Sequence, residues 1–357
     1  MANIVEPACT NGEPMVSSKD KEQQQKNINL MSMLQCDTPK YDAFVTEFID
    51  TRTGAGMAPS AKLAHKLCPT WPIPQQPQPH LLNGNYPSKT VRIGVMDSSF
   101  NPPHYCHAAY LECMGVMKLT PATGMAGGRS KGDADASRLL GIDAYLLLLG
   151  SQNADKELVG ATLEQRMRMV DMLATTIALD TASDTWHMWK NKKDFEATNL
   201  HNMAIGMVNT PLFVNKCTAV RDMVREEWSR SGTGMDSDVE QLEVLSYFAM
   251  GWDALIRFFD PKYYTHYPQE IKQFFANGGR IAFSRRTGFP NDDVDAFFGR
   301  TDIVDYLEHI YELRLPKRVR HISSTDVRVA VRDSTRSVRD IPPRILEYVN
   351  NYMLYRN

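Results

Sequence analysis

The chain has 357 residues, 43% of them hydrophobic and 23% charged, and a formal net charge of −2. That composition belongs to a globular protein with material for a sizeable core, and it gives no basis for a general electrostatic affinity for nucleic acid or anionic membrane. The six cysteines (Cys9, Cys36, Cys68, Cys106, Cys113, Cys217) form no CxxC pair, so they read as reduced thiols of a cytoplasmic or nuclear protein.

Residues 1–27 are polar and Gln/Lys-rich, which predicts disorder, and they contain no apolar stretch of the signal-peptide kind. The apolar positions Tyr41, Phe44, Val45 and Phe48 in YDAFVTEFID fall at helical spacing. CPTWPIPQQPQPH, with Pro72, Pro74, Pro77 and Pro79, reads as an extended linker. These features predict an N-terminal extension over 1–88, partly disordered and Pro/Gln-rich at its end, and one domain over 89–357.

From residue 89 onward, strands and helices alternate. VRIGVM (91–96) reads as a buried strand, followed by a proline-rich turn and the helical pattern HAAYLECMGVMKL. Residues 120–138 are rich in Gly, Ser and Asp and predict a surface loop. DAYLLLL (143–149) predicts a second buried strand, and its apolar run is far too short to cross a bilayer. TLEQRMRMVDMLATTIAL places Leu163, Met167, Val170, Leu173 and Ile177 on one face, with Thr162 as N-cap. Further along come a strand at NMAIGMVN, a helix from about Ala219 to Ser229, strands at LEVLSYFAMG and GGRIAFSRR, and helices at TDVRVAVRD and PPRILEYVNNYML. Continuous apolar strands between amphipathic helices predict a mostly parallel sheet covered on both faces. Ligands of such sheets bind beyond the carboxyl ends of the strands.

Two stretches carry candidate chemistry. SSFNPPHYCH (98–107) follows the first strand and opens a helix, with His104 and His107 three residues apart on one side of a turn. Free amides and the positive end of a helix dipole at that place favour phosphate. HISSTDVR sets Ser323, Ser324 and Thr325 at the mouth of a second helix, with Ser324 or Thr325 as cap and Arg328 one turn in. Surface decoration and simple capping are competing readings of each stretch alone, and a zinc site at the histidines lacks a partner motif.

Together, GxFNPxHxGH near the start and ISSTxxR near the end resemble the paired signature of HxGH-class nucleotidyltransferases. The chain is most similar to the nicotinamide mononucleotide adenylyltransferases, in a divergent fungal-type form. The resemblance covers about residues 91–355 and includes SQNADKELVGATLEQRMRMVDMLA, DTWHMW, AMGWDAL, IAFSRRTG and the closing ISSTDVRVAVRDSTRSVRDIPPRILEYVNNYMLY. It implies an α/β, Rossmann-like fold. It implies that Ser98, Ser99, Phe100, His104 and His107 hold the ATP phosphates, with Ser323, Ser324, Thr325 and Arg328 as a second grip and Gly251 and Asp253 on the adenosine or ribose side. His104, His107 and Arg328 would be the catalytic groups. Asn153, Lys156, Trp186, Tyr264 and Arg285 would contact the mononucleotide, Lys156 on its phosphate or on ATP's, Trp186 by stacking on the pyridine, and Arg286 as the adjacent alternative to Arg285. The family's glycines before the Ser-Phe pair and before the second histidine are Ser98 and Cys106 here.

The implied reaction is ATP + nicotinamide mononucleotide → NAD + pyrophosphate, by in-line attack with no covalent intermediate. Mg²⁺ would be bound with ATP, and no metal is expected on protein ligands alone. Another adenylyl or cytidylyl transfer, and a catalytically weak nucleotide-binding scaffold, stay open as alternatives. The expected partners are ATP and the mononucleotide, without nucleic acid or membrane. A homo-oligomer and a protein partner for residues 1–88 are left open.

Overall fold

The computed structural model describes residues 38–52, 57–73, 90–116, 118–119, 122, 138–139, 141–152, 160–179, 198–231, 242–285, 291–333 and 338–356. The chain divides into two units between Ala43 and Phe44. The described part of the first is the start of helix α1 (Thr38–Arg52), and the second carries the rest of that helix and the sheet.

In chain order the elements are β1 (Ala61–Lys66), β2 (Thr90–Ser98), α2 (Tyr105–Val116), β3 (Lys118–Leu119), β4 (Arg138–Leu139), β5 (Ala144–Gly150), α3 (Leu163–Leu179), β6 (Met203–Val208) and α4 (Phe213–Arg230). They continue with β7 (Glu243–Gly251), α5 (Trp252–Phe258), α6 (Tyr267–Ala276), β8 (Gly279–Ser284), α7 (Asn291–Phe298), β9 (Ile310–Glu312), α8 (Ser324–Arg332) and α9 (Pro343–Asn351). The sheet has seven strands in the order β1-β6-β5-β2-β7-β8-β9. All neighbours are parallel except β1 against β6. The predicted α/β class and the Rossmann-like, mostly parallel sheet are what the chain adopts.

Both faces of the central strands are buried, which explains their unbroken apolar runs. On β2 and β5, Val91, Ile93, Val95, Ala144, Leu146 and Leu148 join one continuous core with residues of α4, α5 and α6. The alternate residues face the other way. A side chain at Gly94 would press on the Tyr145 ring at 2.8 Å and on Met114 of α2 at 3.3 Å, so glycine there sets how closely α2 lies on the sheet. Helix α3 packs on β5 and β6, and α9 packs on α3. Its start is a capping box: the Thr162 hydroxyl accepts from Gln165 N at 3.3 Å, and the Gln165 side chain accepts from Thr162 N at 2.9 Å.

The boundary expected near residue 88 does not coincide with the edge of the sheet. Strand β1 lies inside the stretch taken for an extension and pairs with β6 from Ala61 to Lys66. Trp71, expected in the linker, is 1% exposed and donates its indole N–H to Tyr145 O at 3.0 Å. The sequence AKLAHK lacks the branched and aromatic residues that mark a strand, because an edge strand needs fewer of them. Helix α4 begins at Phe213, six residues ahead of its expected start. Among the described residues no helix is long and apolar enough to cross a membrane.

Candidate active site

Strand order reverses around β2: the chain steps from β2 to β5 and β6, then returns to place β7 on the other flank of β2. The carboxyl ends of these strands therefore diverge at β2 and open a crevice. A cavity of about 350 Å³ lies there. Asp97, Ser98 and Ser99 line it from the end of β2, Gly150 from β5, Phe213 and Lys216 from α4, Arg257 from α5, and Tyr263 and Tyr264 from the turn beyond.

The loop Ser98–Pro102 forms one wall. Phe100 sits at φ 43°, a left-handed conformation unusual for a bulky residue, and its ring is wholly buried 4.9 Å from the His107 ring. His104 and His107 stack with centroids 3.7 Å apart. The His104 backbone N–H donates to His107 Nδ1 at 3.1 Å, which requires the proton of a neutral imidazole on Nε2. That Nε2–H lies 3.1 Å from the Ser98 hydroxyl, which also accepts from Phe100 N at 3.3 Å. Burial drives the His107 pKa down to about 3, so the ring is uncharged at neutral pH. The serine that replaces the family's glycine thus completes the loop's hydrogen bonds. In this geometry His107 holds the loop, with both ring nitrogens engaged inside it. Cys106, the other departure, is buried on α2.

The ISST stretch docks on the same loop. Ser323 is the N-cap of α8, its hydroxyl accepting from Asp326 N at 3.2 Å, where Ser324 or Thr325 was expected to cap. Ser324 is spent differently: its hydroxyl donates to Pro102 O at 2.9 Å. Arg328 donates to Asn101 O at 2.7 Å and to the Thr325 hydroxyl at 3.1 Å. Two motifs more than two hundred residues apart therefore meet on one loop, Ser324 and Arg328 at Asn101 and Pro102, His107 at Ser98.

Arg166, on α3, was not singled out in the sequence. It is 1% exposed, donates through Nε to Ala161 O at 2.8 Å, and brings NH1 to 3.5 Å from Ser99 O. Burial lowers its pKa, and Arg328 lowers it further against the opposing influence of Tyr355. Two guanidiniums thus flank the Phe100 turn, one at the carbonyl before it and one at the carbonyl after it.

The cavity floor holds a second unforeseen pair. Lys216 Nζ lies 2.5 Å from Asp97 Oδ2, and both side chains are 7% exposed. The ammonium also sits 5.1 Å from the centre of the Phe213 ring, a cation–π contact. Asp97 Oδ1 is buried with no hydrogen-bond partner among the described residues. The sequence signal was slight: a carboxylate ending the run VRIGVMD, and a lysine in a helix whose start was set three residues beyond it.

Of the remaining expected residues, Tyr264 lines the cavity, with its hydroxyl donating to Phe258 O at 2.7 Å. Gly251 ends β7 and caps α5, and Asp253 stands exposed in the first turn of that helix. Neither lines the cavity, although Ala254 beside them does. Arg285 is paired with Glu312 of β9 and does not line the cavity either. Asn153, Lys156, Trp186 and Arg286 lie outside the described residues. No group of three metal-binding side chains occurs among the described residues.

No family model matches the chain. It is 27% identical over 226 residues to a Schizosaccharomyces pombe protein provisionally named as a nicotinamide mononucleotide adenylyltransferase, a match spanning 63% of this chain and 62% of that one. Among solved structures, Plasmodium falciparum nicotinic acid mononucleotide adenylyltransferase complexed with NaAD aligns over 74% of this chain and 97% of its own, at 14% identity and a TM-score of 0.39. The same enzyme complexed with APC aligns over the same shares at 13% identity and a TM-score of 0.38. By sequence the chain is similar to that S. pombe protein, spanning less than two thirds of its length, and the protein's provisional name is that of the family the two loop motifs resemble.

Proposed function

We propose that the protein is a pyridine mononucleotide adenylyltransferase that joins ATP and nicotinamide mononucleotide into NAD and releases pyrophosphate. The observation that carries this reading is the docking of Ser324 and Arg328 on the carbonyls of Pro102 and Asn101, which gathers the two phosphate motifs at the carboxyl end of β2. The S. pombe relative supports the same class of chemistry.

The mononucleotide phosphate is already anionic and attacks the α-phosphorus of ATP directly, so no protein nucleophile is required. The protein's contribution is to hold the two reactants in line and to neutralise charge as pyrophosphate leaves. Arg328 and Arg166 are donors suited to that work. His107, neutral and buried, keeps the loop in its left-handed turn; that positioning role replaces direct charge stabilisation by the imidazole in our reading. The aromatic walls from Phe213, Tyr263 and Tyr264, with the Arg257 guanidinium beside them, suit a pyridine ring and its phosphate. Mg²⁺, if bound with ATP, would supply charge neutralisation to its phosphates.

The test is direct detection of NAD from ATP and nicotinamide mononucleotide with the full chain, with nicotinic acid mononucleotide run in parallel. NAD formation with stoichiometric pyrophosphate is expected. Pyrophosphate release only with an unrelated phosphate acceptor would move the protein to a different transferase activity. Nucleotide binding without any turnover would make it a scaffold.

A further inference from the structure

Tyr355 lies beyond α9, at the end of the described chain, with its backbone at φ 63°. Met353 two residues earlier stands at φ 50°. Left-handed conformations at such residues are costly and persist where the surroundings impose them. What surrounds Tyr355 is the phosphate grip. A side chain at Gly160 would touch the Tyr355 ring at 3.1 Å and the Asn101 side-chain amide at 3.1 and 3.2 Å, so the phenol packs beside the residue whose carbonyl receives Arg328. Gly160 itself is at φ 92°, which keeps that passage open to glycine.

The Tyr355 hydroxyl is buried and has no hydrogen-bond partner among the described residues. Its charged neighbours are Arg166 and Arg328. Guanidinium groups only donate, so neither can accept the phenolic proton. Burial pushes the phenol well above its ordinary range, a shift that the two arginines only partly oppose, so the group remains a protonated donor. A buried donor near two cations and without a partner among the described residues is costly to leave unmet.

We propose that Tyr355 is a further polyphosphate-binding residue, its hydroxyl donating to a phosphate oxygen of the nucleotide gripped by Arg328 at the Ser98–Pro102 loop. The proposal rests on the adenylyl-transfer reading above and adds to it a contact from the far carboxyl end of the chain. The last turn thus closes the same site that the first strand of the parallel sheet opens.

Tyr355→Phe in the full chain keeps the ring and removes the donor. Calorimetric titration with pyrophosphate, with ATP and with nicotinamide mononucleotide should show about 10- to 100-fold weaker binding of the first two. Binding of the mononucleotide should be unchanged. The melting temperature of the ligand-free variant should be equal or higher, because an unsatisfied buried hydroxyl has been removed. Equal pyrophosphate affinity in the variant and the unmodified chain overturns the proposal. So does a uniform loss across all three ligands with a lowered melting temperature, which assigns the hydroxyl to packing. Failure of the unmodified chain to bind either pyrophosphate or ATP sinks the adenylyl-transfer reading itself.

Discussion

The two halves of the site are built on opposite plans. The proposed phosphate grip is assembled from hydroxyls and guanidiniums of distant segments that dock on the backbone carbonyls of one loop, and it carries no carboxylate against Arg328 among the described residues. The cavity beside it is lined by an ion pair, Asp97 with Lys216, with the Phe213 ring against the ammonium. One half waits for an anion; the other has already neutralised itself. A residue in the first should therefore matter to ligand and rate, and a residue in the second to the stability of the fold before any ligand arrives.

The strongest way to break that contrast is at the ion pair. Lys216→Met leaves Asp97 buried without its counter-charge, which costs about 3–5 kcal/mol of folding stability. Asp97→Asn combined with Lys216→Met removes both charges and should recover part of that loss. Urea unfolding of the single and double variants measures it. A single variant as stable as the parent would show that the pair is solvated and that the two halves do not differ as described.

Arg328→Ala should show the converse. Its guanidinium lies on the partly exposed side of α8, so the melting temperature should move little. The loss of one preorganised donor to the departing pyrophosphate should lower kcat by about 10²-fold or more. Steady-state kinetics with ATP varied checks this. Unaltered turnover would leave Arg328 as a loop anchor alone.

The same contrast explains what could be read from the sequence. The strands at 90–98, 144–150 and 243–251 were legible because burial on both faces writes an unbroken apolar run. The meeting of the two loops was legible because SSFNPPH and ISSTDVR each set particular residues at fixed spacing at a helix mouth, and Ser324 and Arg328 do dock on Pro102 and Asn101. The cavity floor was not, since Asp97 and Lys216 are 119 residues apart and each looks like an ordinary surface charge. Strand β1 was hidden for a related reason: AKLAHK is recruited as an edge by its partner β6, through backbone bonds that any sequence offers. Tyr355 and Arg166 gain their meaning only from Gly160 and Asn101, which the fold brings to them.

A smaller effect per unit of pH sharpens the account of His107. Its folded pKa, about 3, lies below the 6.5 of an unfolded histidine. Between those values the unfolded chain binds a proton that the folded chain does not. Acidification below pH 6.5 therefore costs about 1.4 kcal/mol per pH unit from this one residue. Asp143, packed against Arg92 at the other end of the strand, runs the opposite way. Burial raises its pKa from 3.8 to about 6 despite Arg92, so from pH 6 down to about 4 the folded state takes up its proton first and acid favours folding. In the unmodified chain the two contributions largely cancel over that range. In His107→Gln the first is gone and the second remains, so between pH 6 and 4.5 acid should stabilise the variant relative to the parent by about 1.4 kcal/mol per pH unit. Urea unfolding at half-unit intervals reads the two slopes directly, whatever baseline stability the variant loses. Parallel slopes would mean that the imidazole reaches water in the folded chain, and its place as the buried anchor of the loop would then be lost.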